Sequence, residues 1–198
     1  MKVLAVSCHP LADSYCAALT RACLEVLRAG GHEVVDRNLY RDGFDPVLSA
    51  EGRARYEDTG ANQAGVEAYC AELASAQGLL LIYPTWWYGM PAVIKGWLDR
   101  VWLPGVAFGL DDQRRITTHA LEHIERFMVI TTYGSPWWWI RFGLGDPGRR
   151  AVLDGLRPLF SPRCRRAWLA LYGMDRNTAA DRERFLARVR ARLRLFDQ

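Results

Sequence analysis

Short unbroken apolar runs alternate along this chain with segments whose apolar residues recur every three to four positions. Lys2 to Ser7 is a continuous apolar run and reads as a strand buried on both faces. Cys8 to Ser14 reads as a loop. Leu19, Ala22, Cys23, Val26 and Leu27 then form a helical stripe, which Gly30-Gly31 ends by supplying left-handed backbone angles. His32 to Leu39 is a second strand, and Tyr40 to Ala61 is polar, with one short helix expected. Asn62 to Gln77 is helical on Val66, Tyr69, Cys70 and Leu73, and Gly78 to Tyr83 is the third strand. Pro91 suits a first helical turn. After it Val93, Trp97 and Val101 align, with Ile94 and Leu98 beside them and Lys95 and Asp99 paired outside. Pro104 to His123 is irregular, with a short extended piece at Val106 to Phe108. Arg126 to Thr132 is the fourth strand. Tyr133 to Asp146 is a loop rich in Trp and Gly, and Pro147 to Phe160 is a helix capped by Asp146. Arg165 to Tyr172 is the fifth strand. Thr178 with Asp181 opens a last helix on the stripe Phe185, Val189 and Leu193.

Strands alternating with helices predict an α/β chain. The expected fold is a three-layer, doubly wound, five-stranded parallel sheet with right-handed crossovers, in one flavodoxin-like domain over residues 1–198. The expected strand order is 2-1-3-4-5, with a ligand crevice at the carboxyl ends of strands 1 and 3. Three unusual loops border that crevice: Cys8 to Cys16, Pro84 to Met90, and Thr131 to Trp139.

The second of these loops holds the most informative residues. Trp86, Trp87 and Tyr88 sit on a strand-to-helix turn, where small polar residues are usual. A flat aromatic ligand at the strand end accounts for them, and packing against a helix or a second subunit is the competing account. The first loop lacks the G-x-G-x-x-G fingerprint. It offers His9, Ser14 and Tyr15 at a helix start, where free N–H groups and the dipole attract a phosphate. Asp13 or Ser14 can equally serve only as a cap. In the third loop Gly134 permits close backbone approach, and Thr131 and Thr132 supply hydroxyls. A phosphate anchor, an aromatic wall and a polar backbone edge together suit a flavin.

Composition narrows the function classes. Of 198 residues, 26 are basic and 22 acidic, so the net charge of +4 is mild, and nearly all the positive charge is Arg. Arg clusters at Arg163, Arg165 and Arg166 and from Arg182 to Arg194. That fits a solvated helix face, or else an anionic partner. No nucleic-acid-binding signature accompanies it. The 5 cysteines are odd in number and lack a C-x-x-C, which predicts reduced, mostly buried thiols rather than a disulfide framework or a zinc site. With no signal-peptide pattern and no long apolar span, the expected location is the cytoplasm.

The ordered pieces His9-Pro10 with Ser14, Pro84 to Ala92 with Lys95-Gly96-Trp97 and Asp99-Arg100-Val101, Gly105 to Gly109, and Thr131 to Gly134 carry a family resemblance. The chain resembles the flavodoxin-like NAD(P)H:quinone oxidoreductases, the DT-diaphorase group with its bacterial quinone-reductase and potassium-efflux ancillary relatives. The resemblance implies a homodimer with a flavin at each interface, FAD ahead of FMN, and NAD(P)H as co-substrate. It implies phosphate contacts from His9, Ser14, Tyr15 and Cys16. Isoalloxazine contacts would come from Pro84, Thr85, Trp86, Trp87 and Tyr88. A pyrimidine-edge site would come from Thr131, Thr132, Tyr133 and Gly134, and substrate contacts from Trp137 and Trp139. The implied reaction is two-electron hydride transfer from NAD(P)H through flavin to a quinone or similar flat electrophile. The alternative it leaves is a flavin-binding ancillary subunit of a membrane transporter with little turnover. The chain departs from the family pattern at Tyr133, where a second Gly is usual, and at Trp139, where the animal enzymes place a Tyr. Ile140 to Gly145 contains no His.

Overall fold

The computed structural model describes residues 1–111, 113 and 115–197. Five parallel strands build the main sheet: β1 (Lys2–Ser7), β2 (Glu33–Asn38), β3 (Gly78–Pro84), β6 (Arg126–Thr132) and β7 (Arg165–Leu171). Their order is β2-β1-β3-β6-β7. The expected numbering 2-1-3-4-5 is corrected by two short strands inside the segment read as irregular, β4 (Phe108–Leu110) and β5 (Ile116–His119). These pair antiparallel as a separate sheet. Positions 112 and 114 of that segment lie outside the described residues.

The alternation of side chains along β3 explains the three layers. Leu79, Leu81 and Tyr83 face a core completed by α3 (Glu67–Ser75) and α4 (Ala92–Val101), through Leu73, Ile94 and Trp97. Leu80 and Ile82 face the opposite core, completed by α1 (Tyr15–Ala29) and α6 (Ala179–Leu193) through Leu19, Leu27, Phe185 and Val189. Because both faces are covered, β3 and β6 are buried along their whole length and their middles are apolar. In α4 the aligned Val93, Trp97 and Val101 are all buried, and Lys95 pairs with Asp99 on the outer side. Gly96 touches the chain before the short helix α2 (Ala50–Ala54): a Cβ there would stand 2.2 Å from the Pro46 carbonyl oxygen.

Three expectations are revised. The helix read from Asn62 begins only at Glu67, after a run of turns. The helix read from Pro147 to Phe160 breaks into a single turn, α5 (Pro147–Arg149), a π-helical turn (Arg150–Asp154) and a 3₁₀ turn (Arg157–Leu159). Asp146 is not its side-chain cap. It adopts φ 54°, makes no capping bond and is buried. The cap of α6 forms as read, with Thr178 accepting from Asp181 N–H and Asp181 accepting from Thr178 N–H.

Candidate functional site

Backbone hydrogen bonds carry the strand pairing past the carboxyl ends of the sheet and so fix the loops there. Cys8 N–H donates to Ile82 O at 3.1 Å, Thr85 N–H to Thr132 O at 2.8 Å, and Tyr133 N–H to Leu171 O at 2.8 Å. The three loops thus leave the sheet side by side, as its strand order requires. Between them lies a cleft of about 710 Å³ lined by Pro84, Thr85, Trp86, Trp87, Tyr88, Thr132, Tyr133, Gly134, Ser135, Met174 and Asp175. Thr131 lies just behind the wall, with its Oγ1 2.8 Å from that of Thr85.

The aromatic wall is built on an unusual turn. Trp86 and Gly89 exchange backbone bonds of 3.2 and 3.1 Å across the two residues Trp87 and Tyr88, whose φ angles are +50° and +62°. This is the pattern of a type I′ turn, which favours Asn and Gly at its centre. Large side chains in the left-handed region raise the energy of the backbone, and such strain collects at functional sites. Trp87 is 96% exposed, so packing does not hold it there.

Under this turn the fit is close. A Cβ on Gly148 would lie 3.0 Å from Tyr133 Oη and 3.3 Å from the Tyr88 carbonyl oxygen. Tyr133 itself is buried, stacks on Tyr172 with ring centroids 5.0 Å apart, and leaves its hydroxyl without a hydrogen-bond partner among the described residues. Burial pushes its phenol up from the ordinary value. Asp146 Oδ1 is likewise buried and unpartnered, and burial raises its carboxyl against the opposing pull of Arg149 and Arg141. Gly134 is exposed on the cleft wall, with the Asp175 carboxylate close over it: a Cβ there would stand 3.1 Å from Asp175 Oδ2.

The first loop contributes from the side. Ser14 caps α1 by accepting from Ala17 N–H at 3.2 Å, and its carbonyl accepts from Ala18 N–H. The N–H groups of Tyr15 and Cys16 are those the helix start leaves free for an anion. Their side chains are committed elsewhere, so any phosphate contact from these two positions is left to the backbone. Tyr15 Oη donates to Arg182 O at 2.6 Å and ties α1 to α6. Cys16 is buried with its thiol toward the Cys8 and Ile82 carbonyls, and burial pushes that thiol up to about 12. His9 lies outside the cleft lining, with its ring edge-on to Trp86 at 6.0 Å. Its Nδ1 accepts from Leu11 N–H, so Nε2 is the free position of the ring. Trp137 and Trp139 also stand outside the lining, 56% and 41% exposed.

Sequence reasoning missed Ser135, Met174 and Asp175. The last two follow β7, the neighbour of β6, so a fourth loop borders the crevice. Gly173 N–H bonds Ser135 O and Met174 N–H bonds Tyr133 O, which pins that loop to the third one.

Residues 1–148 match the flavodoxin-like fold family. Among curated proteins the chain is 31% identical over 109 residues to an uncharacterized NAD(P)H oxidoreductase, YcaK, of Escherichia coli, covering 54% of this chain and 56% of that protein. The chain spans about half the length of the first curated relatives it matches. Among solved structures it superposes on an NAD(P)H:quinone oxidoreductase from Methanothermobacter marburgensis with TM-score 0.82 and 29% identity, covering 100% of this chain and 98% of that one. An FMN-dependent NADH-azoreductase from Bacillus anthracis, solved with FMN, shares the fold at TM-score 0.78 and 14% identity, over 100% of this chain and 99% of that one.

Proposed function

The chain belongs to the flavodoxin-like family that includes NAD(P)H:quinone oxidoreductases, and from that membership we propose that it is a flavin-dependent NAD(P)H oxidoreductase acting on quinones or similar flat electrophiles. The observation that carries the reading is one cleft joining an aromatic wall, Trp86 to Tyr88, to the backbone edge at Tyr133 and Gly134, with the loop that opens α1 meeting that wall through His9, whose ring is 6.0 Å from Trp86. Bound there, a flavin supplies two-electron hydride chemistry. The protein's part is placement. Tyr15 and Cys16 N–H groups hold the phosphate, with His9 Nε2 beside them. Tyr133 N–H is taken by the Leu171 carbonyl, so at this edge the Gly134 N–H would be the donor toward the ring's carbonyl side, favouring negative charge there. The turn at Trp86 to Tyr88 supports a flat ring and keeps water from it.

FMN replaces FAD as the better-supported cofactor. A ring site and a phosphate site suffice for FMN, both have candidates in this chain, and the azoreductase of like fold was solved with FMN. The reading also takes the protein as a homodimer, which light scattering tests. A donor and an acceptor using one cleft in turn give ping-pong kinetics. The decisive experiment is an absorption spectrum followed by anaerobic NADPH and then menadione. A yellow protein that bleaches and recovers supports the reading. A protein that binds neither FMN nor FAD and leaves NADPH unoxidised overturns it.

A further inference from the structure

The residues that line the cleft include a single acidic side chain, Asp175, and no Lys, Arg or His. The carboxylate stands over Gly134, on which a Cβ would lie 3.1 Å from Asp175 Oδ2. Arg176, next along the chain, and His9, edge-on to Trp86, are both outside the lining. Among the described residues Asp175 forms no ion pair and its carboxylate accepts no hydrogen bond. The cleft therefore carries a negative charge that nothing in the chain offsets.

That carboxylate does not serve its own turn. Elsewhere in the chain an Asp oxygen accepts a nearby backbone N–H, as Asp45 does from Val47, Asp58 from Gly60 and Asp111 from Gln113. The loop that holds Asp175 closes without such a bond. Gly173, at φ +71°, donates its N–H to Ser135 O at 3.0 Å, and Met174 N–H donates to Tyr133 O at 2.9 Å. Arg176 N–H returns to Gly173 O at 2.9 Å, and Asn177 Nδ2 donates to Tyr172 O at 2.8 Å. Bonds on both sides of Asp175 thus fix where its charge sits.

A charge in that place sorts what can enter. Two like unit charges about 6 Å apart, at an effective dielectric constant of about 40, weaken binding about tenfold relative to a neutral ligand. Asp175 is exposed and salt screens it, which leaves about fivefold. We propose that Asp175 sets the charge preference of the cleft, so that its electron acceptors are neutral or cationic flat rings and anionic rings, such as sulfonated quinones, are disfavoured. The role of these rings as acceptors rests on the quinone-reductase reading; the charge preference of the cleft does not. A second copy of the chain is the other possible partner for this carboxylate, and the test separates the two.

The probes are menadione and 1,4-naphthoquinone-2-sulfonate, which carry a methyl and a sulfonate at the same ring position. Their dissociation constants are read from quenching of tryptophan fluorescence in flavin-free protein. Their kcat/KM values are read from NADPH oxidation by protein loaded with FMN. Asp175→Asn should tighten binding of the sulfonate about fivefold and leave menadione within about twofold. Asp175→Lys should tighten the sulfonate further, and added salt should shrink every difference. The kcat/KM ratio of the two quinones should move in parallel. Asp175 is exposed, so an unchanged thermal unfolding profile confirms that the variants fold. The same sulfonate-to-menadione ratio in all three proteins overturns the proposal. So does a dimer that Asp175→Asn splits, by light scattering, while that ratio stays put, which assigns the carboxylate to the subunit contact. If the binding ratio follows the charge at position 175 in a protein that neither takes up FMN nor oxidises NADPH, the charge preference stands and the acceptor assignment falls.

Discussion

Trp87→Asn should stabilise the flavin-free protein. Trp87 lies at φ +50° in the first central position of a two-residue turn and is 96% exposed. A left-handed conformation costs a residue with a bulky side chain about 1–2 kcal/mol. Asn tolerates that region and is favoured at this position of a type I′ turn. Because the indole is almost wholly in solvent, its removal forfeits little packing. The relief therefore shows nearly undiminished, as about 1 kcal/mol of added stability. For a chain of this size that raises Tm by about 2–4 °C. The assay is thermal unfolding by circular dichroism on protein stripped of flavin, with wild type and variant scanned side by side. Flavin titration of both proteins should move the other way, since Trp87 lines the cleft and its loss removes ring contact. An unchanged or lowered Tm in the flavin-free variant would falsify the claim that this turn is held in a strained state for the sake of its ligand.

Gly96→Ala should destabilise by about 1–3 kcal/mol in urea unfolding, because its Cβ would overlap Pro46 from the carbonyl to the ring. Trp97→Ala, which empties a fully buried site in the core over α4, should lose about 3–5 kcal/mol by the same measurement. The five buried thiols should resist alkylation at pH 8 in the native state and react after denaturation; burial pushes Cys16 and Cys23 up to about 12, and Cys70 and Cys164 up to about 11. Asp181 is held at about 2, chiefly by the Thr178 hydroxyl, below its ordinary 3.8. The help it gives the folded state is therefore complete above 3.8 and disappears as pH falls through 2. Carboxyl NMR titration checks the value, which should rise toward the ordinary one in Thr178→Ala.

The sheet was legible because its strands are buried on both faces. Runs such as Gly78 to Tyr83 and Arg126 to Thr132 leave no amphipathic ambiguity, and the aligned Val93, Trp97 and Val101 admit only a helix. The hairpin of β4 and β5 was hidden because its strands are three and four residues long and flank a polar, Asp- and Arg-containing stretch. The segment from Pro147 was misread because apolar spacing does not report backbone hydrogen-bond pattern: Val152 and Leu153 are buried as a helix would bury them, yet in a π-helical turn. At the site, the aromatic loop was visible as an excess of rings on a turn. Its left-handed Trp87 and Tyr88 were not, because nothing about those residue types favours positive φ. Met174 and Asp175 carry no motif, and only the position of β7 beside β6 leads to them.

The two ends of the main sheet bear on how this protein can live with so many exposed rings. β2 and β7 are its edges, and an edge strand offers unpaired backbone groups to any passing chain. β2 flanks its adjacent Val34 and Val35 with Glu33, Asp36 and Arg37, and Arg37 is bound to Glu72. β7 opens on Arg165 and Arg166, and farther along Arg188 donates to the Ala170 carbonyl at 3.3 Å, occupying an acceptor that an added strand would need. Stickiness is thereby confined to the loop end of the molecule. A concentrated solution meets rings that attract one another weakly and reversibly, while the sheet edges present charged side chains that disfavour the addition of a further strand.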